Sequence, residues 1–130
     1  MSDSNNLWPD FEDVPKIVSP RAILTEQANF LSEKTNNLLN GSISASASST
    51  NEIITRFKIV APLLNNYSYQ LFAIIHSALY YPCDLRYNAI SYKINNEEDL
   101  REKIREIFNN EETKNIIFSL LGQSKEINEQ

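Results

Sequence analysis

The chain has 130 residues, with twelve Lys and Arg against seventeen Asp and Glu, giving a formal net charge of −5. That length fits one domain able to bury a core without a disulfide or metal, and 42% apolar with 22% charged residues excludes both a disordered chain and a membrane-embedded one. The acidic balance argues against a general nucleic-acid binder, whose affinity comes largely from phosphate contacts, and a single cysteine, Cys83, excludes an internal disulfide.

Residues 1–18 read as an irregular acidic arm. Pro9 and Pro15 forbid a continuous helix, and Asp3, Asp10, Glu12 and Asp13 keep the segment solvated. Residues 1–10 are polar and acidic, unlike a secretory leader, and no apolar run reaches the ~20 residues of a membrane span. A cytoplasmic setting is the expectation. Trp8, Phe11, Val14 and Ile17 recur at a spacing of three, which fits an arm laid across the domain so that Trp8 and Phe11 cap its core, with insertion of the two rings into a partner's pocket as the alternative.

The main domain is expected over 19–122. Ser19 followed by Pro20 is a helix start, with Val18 and Ile23 placed as a hydrophobic staple. Leu24, Ala28, Leu31, Thr35 and Leu38 then fall on one stripe, which predicts a helix over 20–39 with Gly41 as its left-handed cap. In 42–49, Ile43, Ala45 and Ala47 alternate with serines, favouring a strand with small inner side chains over a linker.

Residues 52–61 and 67–77 predict two antiparallel strands, rich in β-branched residues. Strict alternation puts Phe57 and Ile59 on one side with Leu71 and Ile75. Ile54 and Val60 go to the other side with Phe72 and Ile74. If both registers are apolar, both sheet faces need cover, and self-association through the second face follows. Residues 79–94 read as further extended chain in which Pro82 marks an edge, bulge or break. Asn96 and Asp99 then form a capping box. Glu97–Arg101 and Asp99–Lys103 are ion pairs at i,i+4, and Leu100, Ile104, Ile107 and Phe108 form the buried stripe. Asn109 and Asn110 predict a bend. A further helix carries Ile116, Ile117, Leu120 and Leu121, closed by Gly122 before a polar tail over 123–130. The expected architecture is α+β: a two-layer sandwich with an N-terminal helix, an antiparallel meander of three to five strands, and a C-terminal helix or helix pair.

No constellation carries chemistry. His76, Cys83 and Asp84 are the nearest to a catalytic set, since a thiol needs a base and the base an orienting acid. One histidine and one cysteine with no spacing signature fit a strand-end ring and a small apolar thiol better, so no catalytic residue is assigned. The same scarcity excludes a zinc site, and the acids at 97–99 and 111–112 fit helix first turns rather than a metal. With glycine only at positions 41 and 122 there is no phosphate-cradling loop, and no cofactor is expected.

All six tyrosines, Tyr67, Tyr69, Tyr80, Tyr81, Tyr87 and Tyr92, fall within the strand region, where strand propensity and interface chemistry compete as explanations. Arg56, Lys58, Gln70 and Arg86 belong to a solvated sheet face that some of these rings share. With Phe72, Tyr80 and Tyr81 they are the interaction candidates. Small size, acidity and helix–sheet–helix order resemble the layout of secretion chaperones and related two-layer α+β proteins. No motif carries that likeness. The sequence favours a non-enzymatic protein-interaction module (chaperone, adaptor or antitoxin-like) that binds a protein partner or itself. A small enzyme with a pocket near His76 and Cys83 is the alternative, and a single-stranded nucleic-acid binder using a tyrosine-rich face is the third reading.

Overall fold

The computed structural model describes residues 5–12 and 16–128. The readings on Asp3, Asp13, Val14, Pro15 and residues 129–130 lie outside them. Chain order is α1 (Pro20–Lys34), β1 (Asn40–Ala47), β2 (Ile53–Ala61), a short 3-10 turn (Pro62–Leu64), β3 (Tyr67–His76), β4 (Cys83–Tyr87), β5 (Ile90–Ile94), α2 (Glu97–Phe108) and α3 (Glu111–Asn128). The strands form one antiparallel meander in the order β1-β2-β3-β4-β5, and the helices cover a single face of it. The α+β class, the helix ahead of the sheet and the helix pair behind it are as the sequence implied.

Helix α1 starts as its caps dictate. Ser19 Oγ accepts the Ala22 N–H at 3.1 Å, Pro20 occupies the first turn, and half-buried Val18 packs on the core together with buried Ile23. The helix stops at Lys34, five residues before the expected end. Thr35 Oγ donates to the Leu31 carbonyl at 2.8 Å and accepts the Leu39 N–H at 3.1 Å, while Asn36 and Asn37 take positive φ. Asparagine tolerates that backbone because its short side chain can bond locally. Gly41 is therefore no helix cap. It lies in β1 under α1, where a Cβ would come within 2.5 Å of Ala28 Cβ. Of residues 42–49, those through Ala47 form strand as favoured and 48–49 enter the turn, but the close helix approach uses Gly41, and Ala45 and Ala47 are exposed.

The registers of β2 and β3 correct the strict alternation. Phe57 pairs with Phe72, but Lys58 pairs with Gln70, leaving Leu71 as an extra residue in a bulge. Beyond it, every β3 side chain changes face. Phe72 and Ile74 enter the core, and Ala73 and Ile75 turn outward. The Phe72 ring stacks on Phe57 at 5.4 Å and 5°, and Phe108 from α2 tilts over both at 5.8 and 6.4 Å. Offset stacked and tilted rings fill the space between sheet and helices with favourable quadrupole contacts.

The stretch 79–94 resolves into a loop ending at Pro82 and then the hairpin β4–β5, turning on Asn88 and Ala89 with φ of 51° and 63°. Two central residues at positive φ match the twist of the strands they join. In α2, Asn96 Oδ1 caps the Asp99 N–H at 2.8 Å, and Arg101 pairs with Glu97 at 2.9 Å. Lys103 does not pair with Asp99. It binds Glu106 at 2.9 Å and sits 4.2 Å over the Tyr92 ring. Gly122 does not close α3, which runs on to Asn128 with Ser124 fully buried, so part of the expected tail is helix. The arm does not cap the core either. Trp8 is 76% exposed, Phe11 60%, and the two rings lie 6.2 Å apart in solvent.

Candidate functional site

Alternation along each strand assigns the face that no helix covers. Its side chains are Ser42, Ser44 and Ser46 from β1, Ile54, Arg56, Lys58 and Val60 from β2, Ser68, Gln70, Ala73 and Ile75 from β3, Asp84 and Arg86 from β4, and Ser91 and Lys93 from β5. Four cations thus meet one carboxylate there. The remaining eight Lys and Arg of the chain are outnumbered by sixteen Asp and Glu, so a face of formal charge +3 belongs to a molecule that elsewhere carries −8.

Among the described residues, none of the cations on this face takes part in an ion pair. Every ion pair among the described residues lies on the helices or between them, through Arg101, Lys103, Arg105 and Lys114. Arg56 has a neutral partner, donating from Nη1 to Ser46 Oγ at 3.1 Å, which holds its guanidinium over the sheet. Arg56 and Arg86 flank Ala73 in one cross-strand row, two strand spacings or about 10 Å apart. Their aliphatic stems lie beside Ala73, which is 7% exposed, and Ile75 next to it is 5% exposed. With only a methyl group between the arginines, the surface dips into a depression of about 340 Å³ lined by Ile54, Gln70, Ala73 and Ile75 and rimmed by the two guanidinium groups.

Of the sequence candidates, Arg56, Lys58, Gln70 and Arg86 share this face. Phe72 does not. At 1% exposure it belongs to the core, for the bulge at Leu71 turns it inward. Tyr80 and Tyr81 stand in the loop before β4. Tyr80 meets the His76 ring edge-on at 5.7 Å, and Tyr81 donates its hydroxyl to the Val18 carbonyl at 3.0 Å, anchoring the chain as it enters the domain. Burial pushes the Tyr81 phenol up to about 12. The other tyrosines, Tyr67, Tyr69, Tyr87 and Tyr92, point to the helix side. Rings and cations therefore occupy opposite faces, and no aromatic–basic platform forms. Lys93, which the sequence reading passed over, was recoverable from the alternation of 90–94 once a hairpin is placed at 88–89.

His76, Cys83 and Asp84 do not assemble a reactive centre. The His76 Nδ1–H donates to the Ser77 carbonyl at 2.6 Å, and the Cys83 thiol is buried in the core. Burial, and then the adjacent Asp84 carboxylate, raise that thiol from its ordinary 9.0 to about 11, so it stays protonated at neutral pH. No group of His, Cys, Asp and Glu among the described residues has the geometry to hold a metal ion.

The helix side has clefts of its own. One cleft of about 750 Å³ runs between β3 and α3, where Tyr67, Tyr69, Glu112 and Gln123 surround Ile116 and Leu120. Burial and the Glu112 carboxylate raise the Tyr69 phenol above its ordinary value, which keeps it a neutral hydrogen-bonding group. A second groove of about 530 Å³ lies between α1 and α3, floored by Phe57, Leu71 and Phe108. Neither contains a nucleophile paired with a base. No described helix is long and apolar enough to cross a membrane. Comparison with protein-family models, with curated proteins and with solved structures gives no match.

Proposed function

We propose that the chain is a non-enzymatic protein-interaction module, of the kind a small chaperone, adaptor or antitoxin-like protein provides, whose outer sheet face receives an acidic segment of a protein partner. The observation that supports this reading is the concentration of four cations, in no ion pair among the described residues, on the uncovered face of an otherwise acidic molecule. A carboxylate-bearing segment supplies what that face lacks. Arg56 and Arg86 offer planar forks that bind carboxylates through paired hydrogen bonds, and Lys58 and Lys93 add point charges on either side. Ile54, Ala73 and Ile75 supply an apolar strip between them. The acidic remainder of the surface repels the same segment, so binding is directed to one face.

Fluorescence anisotropy of a labelled Asp/Glu-rich peptide tests the reading. Binding at low ionic strength should weaken at least about tenfold in the R56E/R86E variant and fall with added salt. No binding at low salt would contradict it. Mixed-sequence single-stranded RNA in the same assay separates a protein ligand from a polyanion in general. Tighter binding of RNA than of the peptide would favour the nucleic-acid reading, despite tyrosines that face the other way.

A further inference from the structure

The chain itself contains a segment with the chemistry this face requires. No Lys or Arg occurs before Lys16, and the arm carries Asp3, Asp10, Glu12 and Asp13 around Trp8 and Phe11. Its rings are exposed, and so are Asp10 and Glu12. Soluble chains rarely leave two neighbouring large rings in water without a partner surface. The four acids of the arm match the four cations of the outer face in number and oppose them in sign.

Dimensions agree as well. Extended residues 8–12 span roughly 13 Å in four steps of ~3.3 Å, enough to cross from Arg56 on β2 to Arg86 on β4, two strand spacings of ~4.8 Å apart. Asp10 and Glu12 alternate with Phe11, so in an extended arm the carboxylates project to one side and the ring to the other. Trp8, like them at an even position, comes down beside the guanidinium groups, on whose planes indole stacks favourably.

In its own chain the arm is not docked on that face: Trp8 and Phe11 are exposed, and Asp10 and Glu12 take part in no ion pair among the described residues. It joins the domain at Val18, which packs on the core and whose carbonyl takes the Tyr81 hydroxyl bond, on the side of the sheet opposite the cations. We propose that residues 8–12 of one copy dock on the outer sheet face of a second copy, Asp10 and Glu12 pairing with Arg56 and Arg86, so that two chains exchange arms across a twofold axis. This rests on the reading of that face as a receptor for acidic segments and names the segment. Reciprocal exchange is isologous and closes at a dimer, because each chain offers one arm and one face.

Charge reversal tests the exchange, using full-length chains. Sedimentation velocity over a concentration series should show a monomer–dimer equilibrium for the native sequence. Both D10K/E12K and R56E/R86E should raise its dissociation constant at least about tenfold, since like charges then face each other. Mixing these two variants should restore dimers, because the reversed arm of one fits the reversed face of the other. The quadruple variant should recover homodimers. Trp8, the only tryptophan, reports docking through its emission. All four altered residues are exposed or half-buried, and unchanged circular dichroism and Tm confirm that the variants fold. A native chain that stays monomeric at all concentrations overturns the exchange, as does a dimer indifferent to both reversals or a Trp8 signal that is intramolecular. If the chain is monomeric yet binds the labelled acidic peptide through Arg56 and Arg86, the exchange fails and the receptor reading stands. If neither occurs, both fall.

Discussion

The two faces of the sheet are built by the same five strands and differ in how their demands are met. On the helix side, Phe57, Phe72 and Phe108 fill the interior, and all five ion pairs among the described residues lie on or between the covering helices. On the other side, serines, four cations and one carboxylate surround a small apolar dip, and none of these charges forms an ion pair among the described residues. The first face is covered by the helices. The second is complete only in the company of carboxylates, and that asymmetry is the basis for assigning binding to it.

Substitutions across this divide should differ most. Phe72→Ala removes a buried, stacked ring and should cost about 3–5 kcal/mol in chemical denaturation. Gln70→Ala, two residues earlier on the outer face, should stay within about 0.5 kcal/mol. Equal losses would mean that the bulge at Leu71 does not set the register as described. Gly41→Ala forces a methyl group into the Cβ and Cα of Ala28 and should cost about 1–3 kcal/mol in the same measurement, with Ala28→Gly beside it recovering part of the loss.

A smaller effect has the opposite sign. Ala89 holds a left-handed backbone at φ 63°, where an L side chain is strained, so Ala89→Gly should stabilise the hairpin by about 0.5–1 kcal/mol, read as a rise in Tm. A further effect appears only at alkaline pH. Folding raises the Cys83 thiol from 9.0 to about 11, which favours the protonated form in the folded chain. The associated stability is fully present below pH 9 and is lost as pH rises toward 11, and Cys83→Ala should flatten the stability profile in that window. The native thiol should accordingly react slowly with alkylating reagents at neutral pH and quickly once the chain is unfolded.

Much of the fold was legible because strong local rules agreed with packing. Ser19-Pro20 starts α1, Asn96 starts α2, and β-branched runs make β2 and β3. Where the sequence misled, a second residue type performed the role assigned to glycine, or one extra residue changed a parity. Asn36 and Asn37 end α1 in the left-handed conformation expected of Gly41, and Asn88-Ala89 turns a hairpin without the glycine that usually flags it. The bulge at Leu71 has no composition signal, yet it inverts the faces of all β3 residues beyond it. The candidate site shows both outcomes. Arg56 and Lys58 lie on β2, which carries no extra residue, and Gln70 precedes the bulge in β3, so simple alternation places them correctly, whereas Phe72 lies past it and was misassigned. Unpaired charge was invisible in the sequence, because Asp84 stands opposite Lys93 in register without forming an ion pair.

Amide chemical shifts of the isotopically labelled chain, followed while an acidic peptide is added at low salt, test the asymmetry of the two faces most directly. Perturbations should gather on the outer register around Arg56, Lys58, Ala73, Arg86 and Lys93. Shifts that gather instead along the groove between α1 and α3, at Phe30, Leu31 and Ile117, would place binding on the helix side and contradict the assignment.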